Sequence, residues 1–125
     1  MIDVALPYPP SINHLWRRAG DRTIISRQGR AFRKDAVARL AASGVAPPRF
    51  PLRGRLSVRI QVCPPDRRRR DLDNVQKALL DALEHGGVYA DDGQIDRLEV
   101  ERGPVTPGGS VRVVVSPLSE ETPCS

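Results

Sequence analysis

Apolar and polar side chains alternate without interruption from residue 56 to residue 62. The apolar set is Leu56, Val58, Ile60 and Val62. A period of two places this set on one face of an extended strand and the polar residues on the other face. Pro64 and Pro65 follow, and they end the strand because proline cannot donate to a β ladder. The pattern therefore predicts a half-buried strand that another layer of the fold must cover.

Two segments carry apolar residues at helical spacing. The first helix is predicted from about Ser26 to Ser43, followed by Gly44; its apolar positions are Phe32, Ala36, Val37 and Leu40. The second is predicted from about Leu72 to His85, followed by Gly86 and Gly87; its apolar stripe is Leu72, Val75, Leu79, Leu80 and Leu83. Glycine after the last periodic residue is a common way to end a helix.

Shorter strands are predicted at 2–6, 23–26, 95–100 and 111–115, with a loop or single turn over 11–18. The turn Pro107-Gly108-Gly109 favours a hairpin between the last two strands. The expected fold is α+β, with a small mixed or antiparallel sheet covered by two helices. We expect one domain over residues 1–118 and a frayed tail over residues 119–125.

The chain is basic, with 20 lysine and arginine residues against 15 acidic ones. Lys34 and Lys77 are the only lysines, so arginine supplies nearly all the positive charge. This favours an anionic partner, although a coding bias towards arginine is an alternative explanation. The two cysteines, Cys63 and Cys124, do not suggest a disulfide framework, and no apolar stretch approaches the roughly 18 residues of a membrane span. We expect a soluble, cytoplasmic protein without a small-molecule cofactor.

Four consecutive arginines, Arg67 to Arg70, lead directly into Asp71, Leu72, Asp73 and Asn74. A basic run is typical of phosphate binding, and paired aspartates suit a Mg²⁺ site. Residues two apart lie about 200° apart around a helix, so Asp71 and Asp73 cannot share an ion from mid-helix positions. Asp71 is therefore predicted at or before the N-cap, with Asp73 in the first turn. A third ligand must come from elsewhere.

The other tight acidic cluster is Asp91-Asp92, at a turn before a predicted strand. On an extended backbone these two side chains point to opposite sides, so only one is expected to reach the site. More ordinary explanations stay open: the aspartates of the second helix cap it, and Lys77 forms an i,i+4 pair with Asp73. His14 and His85 are unclustered and suggest no site of their own.

These motifs resemble the RusA family of Holliday junction resolvases. The resemblance is carried by residues 67–77, by Asp91-Asp92 and by Pro9-Pro10-Ser11 with Asn13, and it extends from Leu6 to about Val115. Ile12 departs from the family pattern, in which this stretch often holds a polar residue. The resemblance implies a small homodimer that cuts four-way DNA junctions using Mg²⁺, with Mn²⁺ as a substitute.

By motif position, the resemblance implies that Asp71, Asp73 and Asp92 are metal ligands and that Lys77 is the essential positive charge, with the role of Asp91 open. The residues expected to contact DNA are Arg67, Arg68, Arg69, Arg70, Asn74, Asn13 and Arg17. The first helix or the leucines Leu79, Leu80 and Leu83 could form the subunit interface. Two rival functions are a DNA-binding module without catalysis and a metal-dependent nuclease for other branched or single-stranded nucleic acids.

Overall fold

The computed structural model describes residues 1–118. The strands are β1 (Ile2–Pro7), β2 (Trp16–Ala19), β3 (Arg22–Ile25), β4 (Leu56–Cys63), β5 (Ile95–Arg102) and β6 (Ser110–Pro117). The α-helices are α1 (Ile12–Leu15), α2 (Arg27–Ala42) and α3 (Gln76–His85), and 3₁₀ turns span Leu72–Val75 and Asp92–Gln94. The α+β class is confirmed, whereas the tail predicted at 119–125, with Cys124, lies outside the described residues.

A four-stranded mixed sheet with the order β1-β6-β4-β5 forms the centre of the fold. β6 pairs antiparallel with both β1 and β4, and β5 pairs parallel with β4. The alternating segment is β4, and its apolar side chains are at most 2% exposed. The predicted half-buried strand is thus confirmed, and it lies inside the sheet.

The hairpin predicted between the last two strands is wrong. β5 lies at the sheet edge beside β4, and β6 lies on the other side of β4. The connecting segment passes the end of β4, where Gly103 N–H donates to Val62 O at 2.8 Å and Thr106 N–H donates to Pro64 O at 2.9 Å. The turn Pro107-Gly108-Gly109 reverses the chain, but it does not join neighbouring strands.

Helices α2 and α3 pack together, and their apolar sides join those of the sheet in one core. Ser26 and Ser43 cap α2, and Ser26 Oγ accepts a hydrogen bond from Gly29 N–H at 3.0 Å.

Leu79 and Leu83 are completely buried within the chain. The expectation that these two leucines form a subunit interface is therefore wrong. No helix in residues 1–118 has the length and apolar character to cross a membrane.

Residues 11–25 form more structure than the predicted loop and short strand. One helical turn, α1, leads into a two-stranded antiparallel ribbon made by β2 and β3. The ribbon is attached to the start of α2, because Ser26 N–H donates to Leu15 O at 2.8 Å and Ser26 Oγ donates to His14 O at 2.5 Å. A Cβ at Gly29 would lie 2.8 Å from Leu15 O, so glycine permits this close packing.

Candidate active site

The arginine run forms a loop between β4 and α3 that an internal carboxylate organises. Asp66 Oδ1 accepts a hydrogen bond from Arg68 N–H at 2.9 Å, and both Asp66 oxygens lie 3.0 Å from Arg70 Nη2. The basic run by itself predicts an external anion, the phosphates of a nucleic acid, as the partner of these charges. Asp66 already supplies one, and the i,i+4 spacing of Asp66 and Arg70 was its only sequence signal.

The four arginines differ in their surroundings. The Arg70 guanidinium also lies over the Tyr8 ring, 5.8 Å from its centroid, and Arg70 O accepts a hydrogen bond from Arg102 Nη2 at 2.7 Å. Arg70 is therefore built into the loop. Arg67, Arg68 and Arg69 are exposed, and the Arg68 side chain keeps 84% of its accessible surface. Their side chains remain accessible to solvent beside the loop, and Arg68 Nε also lies 3.9 Å from Asp66 Oδ2.

Asp71 and Asp73 stand where the helix geometry predicts them. Asp71 is the N-cap of the 3₁₀ turn Leu72–Val75, with an extended backbone, and Asp73 lies in the first turn. The Asp71 side chain accepts no capping hydrogen bond, so capping does not account for it. The suggested Asp73–Lys77 pair does not form: Lys77 Nζ lies 3.4 Å from Asp81 Oδ1. Within the described residues, neither the Asp71 nor the Asp73 carboxylate has a hydrogen-bond or ion-pair partner.

Asp91 and Asp92 begin a tight turn rather than an extended strand. Asp91 caps the 3₁₀ turn Asp92–Gln94 and accepts a hydrogen bond from Gly93 N–H at 2.8 Å. Asp92 N–H donates to Glu84 Oε1 at 2.8 Å. Carboxylate oxygens of Glu84, Asp91 and Asp92 lie within 4.8 Å of one another. The expectation that Asp91 and Asp92 point to opposite sides is therefore wrong.

Glu84 was missed from the sequence because it lies in the last turn of α3, outside the acidic motifs. The Tyr89 side chain reports the same acidic surroundings. Burial, followed by the charges of Asp92, Glu84 and Asp81, raises the pKa of its hydroxyl well above the ordinary value of 10.0. The protonated phenol donates a hydrogen bond to Leu80 O at 2.8 Å. This hydrogen bond joins α3 to the segment just before residues 91–94, which we call the acidic turn.

The pair Asp71 and Asp73 and the pair Asp91 and Asp92 lie at opposite ends of α3 and of β5. Asp73 precedes the start of α3, whereas Asp92 is bonded to Glu84 in the last turn of this ten-residue helix, which is about 15 Å long. The arginine loop is bonded to Arg102 at the end of β5, whereas Asp92 precedes the start of that strand. One chain therefore does not bring Asp71 and Asp73 to Asp92, and the three-aspartate ligand set stays a prediction.

The N-terminal motif meets the arginine loop in an open groove. Tyr8, His14, Arg69, Asp71 and Asn74 are among the residues that line it. His14 Nδ1 lies 2.8 Å from Ser11 Oγ, which orients the imidazole at the groove. The two N-terminal residues expected to contact DNA lie close in sequence to this groove: Asn13 is exposed on α1 and Arg17 is exposed on β2. The groove thus places polar and basic side chains beside the carboxylate of Asp71.

Comparison with known proteins assigns this arrangement to a family. The family described as endodeoxyribonuclease RusA matches residues 7–116. The crossover junction endodeoxyribonuclease RusA of Enterobacteria phage HK97 is 41% identical over 115 residues, covering 90% of this chain and 92% of the phage protein. Its namesake from Escherichia coli K12 is 40% identical over 123 residues, covering 94% and 96% of the two chains. The chain belongs to the RusA family. The resemblance predicted from its motifs is confirmed.

In this RusA-family chain, the acidic groups have the chemistry of a site for a hard cation. Carboxylate oxygens are the ligands that Mg²⁺ and Mn²⁺ prefer. Asp71, Asp73 and Asp92 keep their carboxylates free of hydrogen bonds and ion pairs among the described residues, so a cation would not displace an existing partner. Asp91 has one oxygen engaged by Gly93 N–H. Among the described residues, Glu84, Asp91 and Asp92 form the cluster with the spacing and ligand chemistry to hold a metal ion, and Asp91 also has a structural role.

Protonation of Asp66 is expected to loosen the arginine loop of this RusA-family protein in acid. The Arg68 backbone N–H and the nearby Arg70 guanidinium lower the pKa of the Asp66 carboxyl from its ordinary 3.8. Because the folded pKa is lowered, these contacts stabilise the loop above pH 3.8, and this contribution is lost as the pH falls through the folded pKa. The Arg68 amide chemical shift, followed by NMR, should titrate below pH 3.8.

Asp66→Asn should remove this titration, because the amide oxygen still accepts from Arg68 N–H but carries no charge. Asp3→Asn is the matched control. The pKa of Asp3 is also lowered, through Arg112 on the sheet, so this variant changes acid stability without touching the loop. An Arg68 amide that titrates identically in Asp66→Asn would contradict the assigned role of Asp66.

Proposed function

We propose that the protein is a structure-selective endodeoxyribonuclease that resolves four-way DNA junctions by paired nicking in the presence of Mg²⁺. The observation that carries the proposal is the continuity of the exposed arginines with two carboxylates that have no hydrogen-bond or ion-pair partner among residues 1–118. Arg67 to Arg69 would meet the DNA phosphates, and Asp71 and Asp73 follow at once on the same backbone. Membership of the endodeoxyribonuclease RusA family supports this assignment.

The side chains have distinct tasks in this proposal. Asp71 and Asp73 would hold the cation from the extended N-cap and the first turn, and Asp92 would complete the ligand set. When bound, Mg²⁺ supplies Lewis acidity and lowers the pKa of a coordinated water. Lys77 lies one turn after Asp73, and its ammonium would stabilise the negative charge that develops on the phosphate. The Asp81 carboxylate restrains this ammonium at 3.4 Å.

A homodimer would bring Asp73 of one subunit close to Asp92 of the other, although α3 keeps these residues apart within one chain. Because Asp92 lies at the far end of that helix from Asp73, Asp92 of the partner subunit is the better candidate for the third ligand. A two-fold dimer would also present one site to each of two opposed strands of a junction. The proposed assembly is thus required for metal binding as well as for paired nicking. A cytoplasmic bacterial or phage-encoded protein is proposed.

Cleavage of an end-labelled synthetic four-way junction tests the function directly. Wild-type protein should make symmetric nicks in Mg²⁺ and none in EDTA, and it should leave a linear duplex of the same sequence intact. Junction binding without cleavage in Mg²⁺ or Mn²⁺ would favour a DNA-binding module instead. Equal cleavage of flaps or single strands would favour a nuclease of broader substrate range.

Complementation tests the shared site. Asp73→Asn and Asp92→Asn should each be inactive alone, because every site in either homodimer lacks one ligand. In a mixed dimer, one site would combine the intact Asp73 of one chain with the intact Asp92 of the other, so mixing the two variants should restore nicking. If mixing restores nothing while subunit exchange is demonstrated by mass spectrometry, the proposed sharing of ligands is wrong.

A further inference from the structure

The Gln94 side chain makes four hydrogen bonds at the acidic turn. Oε1 accepts from Ala90 N–H at 3.0 Å and from Asp91 N–H at 3.1 Å. Nε2 donates to Leu52 O and to Gly54 O, both at 3.0 Å. A primary amide has two donor hydrogens and one oxygen with two lone pairs, so the whole hydrogen-bonding capacity of this side chain is used.

Helix capping explains only part of this arrangement. In a capping box, the side chain at the third position returns one hydrogen bond to the N-cap N–H, which is the contact from Gln94 to Asp91. The two bonds from Nε2 reach carbonyls that lie 40 and 42 residues away in sequence. They connect the acidic turn to the segment before β4, and a cap alone does not require them.

The segment on the other side of these bonds is itself attached to the chain next to the turn. Leu52 N–H donates to Val88 O at 2.8 Å, and Leu52 forms a parallel bridge with Tyr89. Arg55 Nη2 donates to Gly93 O at 2.7 Å. The backbone that carries Asp92 is thus held between α3, through Glu84, and residues 52–55, through Gln94 and Arg55.

We propose that Gln94 is a positioning residue that sets the placement of Asp92 for metal binding. The inference rests on the proposed function in one respect, namely that Asp92 is a metal ligand. A metal ligand must be held in one place for its oxygen to share an ion with ligands from another part of the protein. The loss of a side chain that orients a ligand typically weakens metal affinity by about 10- to 100-fold.

Glutamine suits this position, and its closest analogue does not. Glutamate keeps both acceptor contacts but replaces the donor nitrogen with a second oxygen, which would face the carbonyls of Leu52 and Gly54. It also adds a fourth negative charge beside Glu84, Asp91 and Asp92. Methionine has similar length, makes none of the four hydrogen bonds and adds no charge. The pair Gln94→Glu and Gln94→Met therefore separates lost bonds from added charge.

The experiment measures Mn²⁺ binding from the electron paramagnetic resonance signal of the free ion, which does not depend on cleavage. Wild type, Gln94→Glu and Gln94→Met are compared with Gln61→Glu and Gln61→Met, since Gln61 lies on β4 outside the acidic turn. Gln94→Met should raise the Mn²⁺ dissociation constant by about 10- to 100-fold. Both Gln61 variants should bind Mn²⁺ as the wild type does, and junction affinity in EDTA should be unchanged in all five proteins.

The outcomes separate this inference from the proposed function. If wild type binds Mn²⁺ and cuts no junction, the proposed function fails while the Gln94 comparison still decides the inference. A lower thermal unfolding midpoint in Gln94→Met with unchanged Mn²⁺ affinity would mean that the side chain serves only the fold, which would overturn the proposal. Wild type that binds no Mn²⁺ would overturn it as well. Where wild type cuts, excess Mg²⁺ should restore much of the Gln94→Met rate.

Discussion

Asp73→Asn should abolish junction cleavage and leave junction binding intact. Asparagine matches aspartate in size but lacks the negative charge that a hard divalent cation requires. Losing a group that merely orients a ligand costs about 10- to 100-fold, so losing a ligand should cost more than about 100-fold in rate. The Asp73 carboxylate contacts no partner among residues 1–118, so thermal stability should stay that of the wild type.

Cleavage of a labelled junction in Mg²⁺ and binding of the same junction in EDTA are the paired measurements. Asp3→Asn is a suitable control, because Asp3 is an exposed carboxylate on β1 whose partner is Arg112 on the sheet. It removes the same charge and should cut at the wild-type rate. Wild-type cleavage by Asp73→Asn would remove this residue from the metal site.

The triple variant Arg67→Gln, Arg68→Gln and Arg69→Gln should bind junction DNA much more weakly and with less dependence on salt. Each phosphate contact contributes about 0.9 to the slope of log affinity against log salt concentration. Three contacts therefore contribute about 2.7, which corresponds to an ~500-fold loss of affinity at 0.1 M salt. Because these side chains are exposed and the variant removes just one exposed ion pair, between Arg68 and Asp66, the fold should be little affected.

Binding measured by fluorescence anisotropy from 50 to 300 mM salt gives both the slope and the affinity. The matched control removes three arginines from the sheet, Arg59, Arg97 and Arg112, which gives the same change in net charge. Equal losses in the two triple variants would show that net charge, not the loop, governs binding. Arg70→Gln should behave differently from both, because Arg70 is bonded to Asp66 and its loss should disorder the loop.

The main elements could be predicted from the sequence, whereas their neighbours in the sheet could not. β4 and α3 have clear periodicity because each buries one face or one stripe. The weak alternation of β5 reflects its place at the edge, where Leu98 is 44% exposed. Its pairing with β4 rather than β6 depends on contacts distant in sequence, and a local turn motif does not encode them.

The local positions of Asp71 and Asp73 could be predicted from the sequence, but the arrangement of the acidic residues in space could not. Asp71 and Asp73 could be placed from the angular spacing of a helix, which is a local property. The separation of Asp73 from Asp92 depends on the direction of α3, which the number of residues between them does not indicate. Gln94 was missed because all four of its side-chain partners are backbone groups, which every residue possesses. Asp66 was missed because its contacts with Arg68 N–H and the Arg70 side chain depend on how the loop folds.

The position of β6 has a consequence for the synthesis of the chain. β6 is the last strand of the described residues, and it pairs with both β1 and β4. Until β6 has left the ribosome, β1 has no strand to pair with and one edge of β4 stays open. The arginine loop and α3 are made earlier, yet the sheet that supports them closes only afterwards. A nascent chain that ends before residue 110 therefore cannot present a finished site.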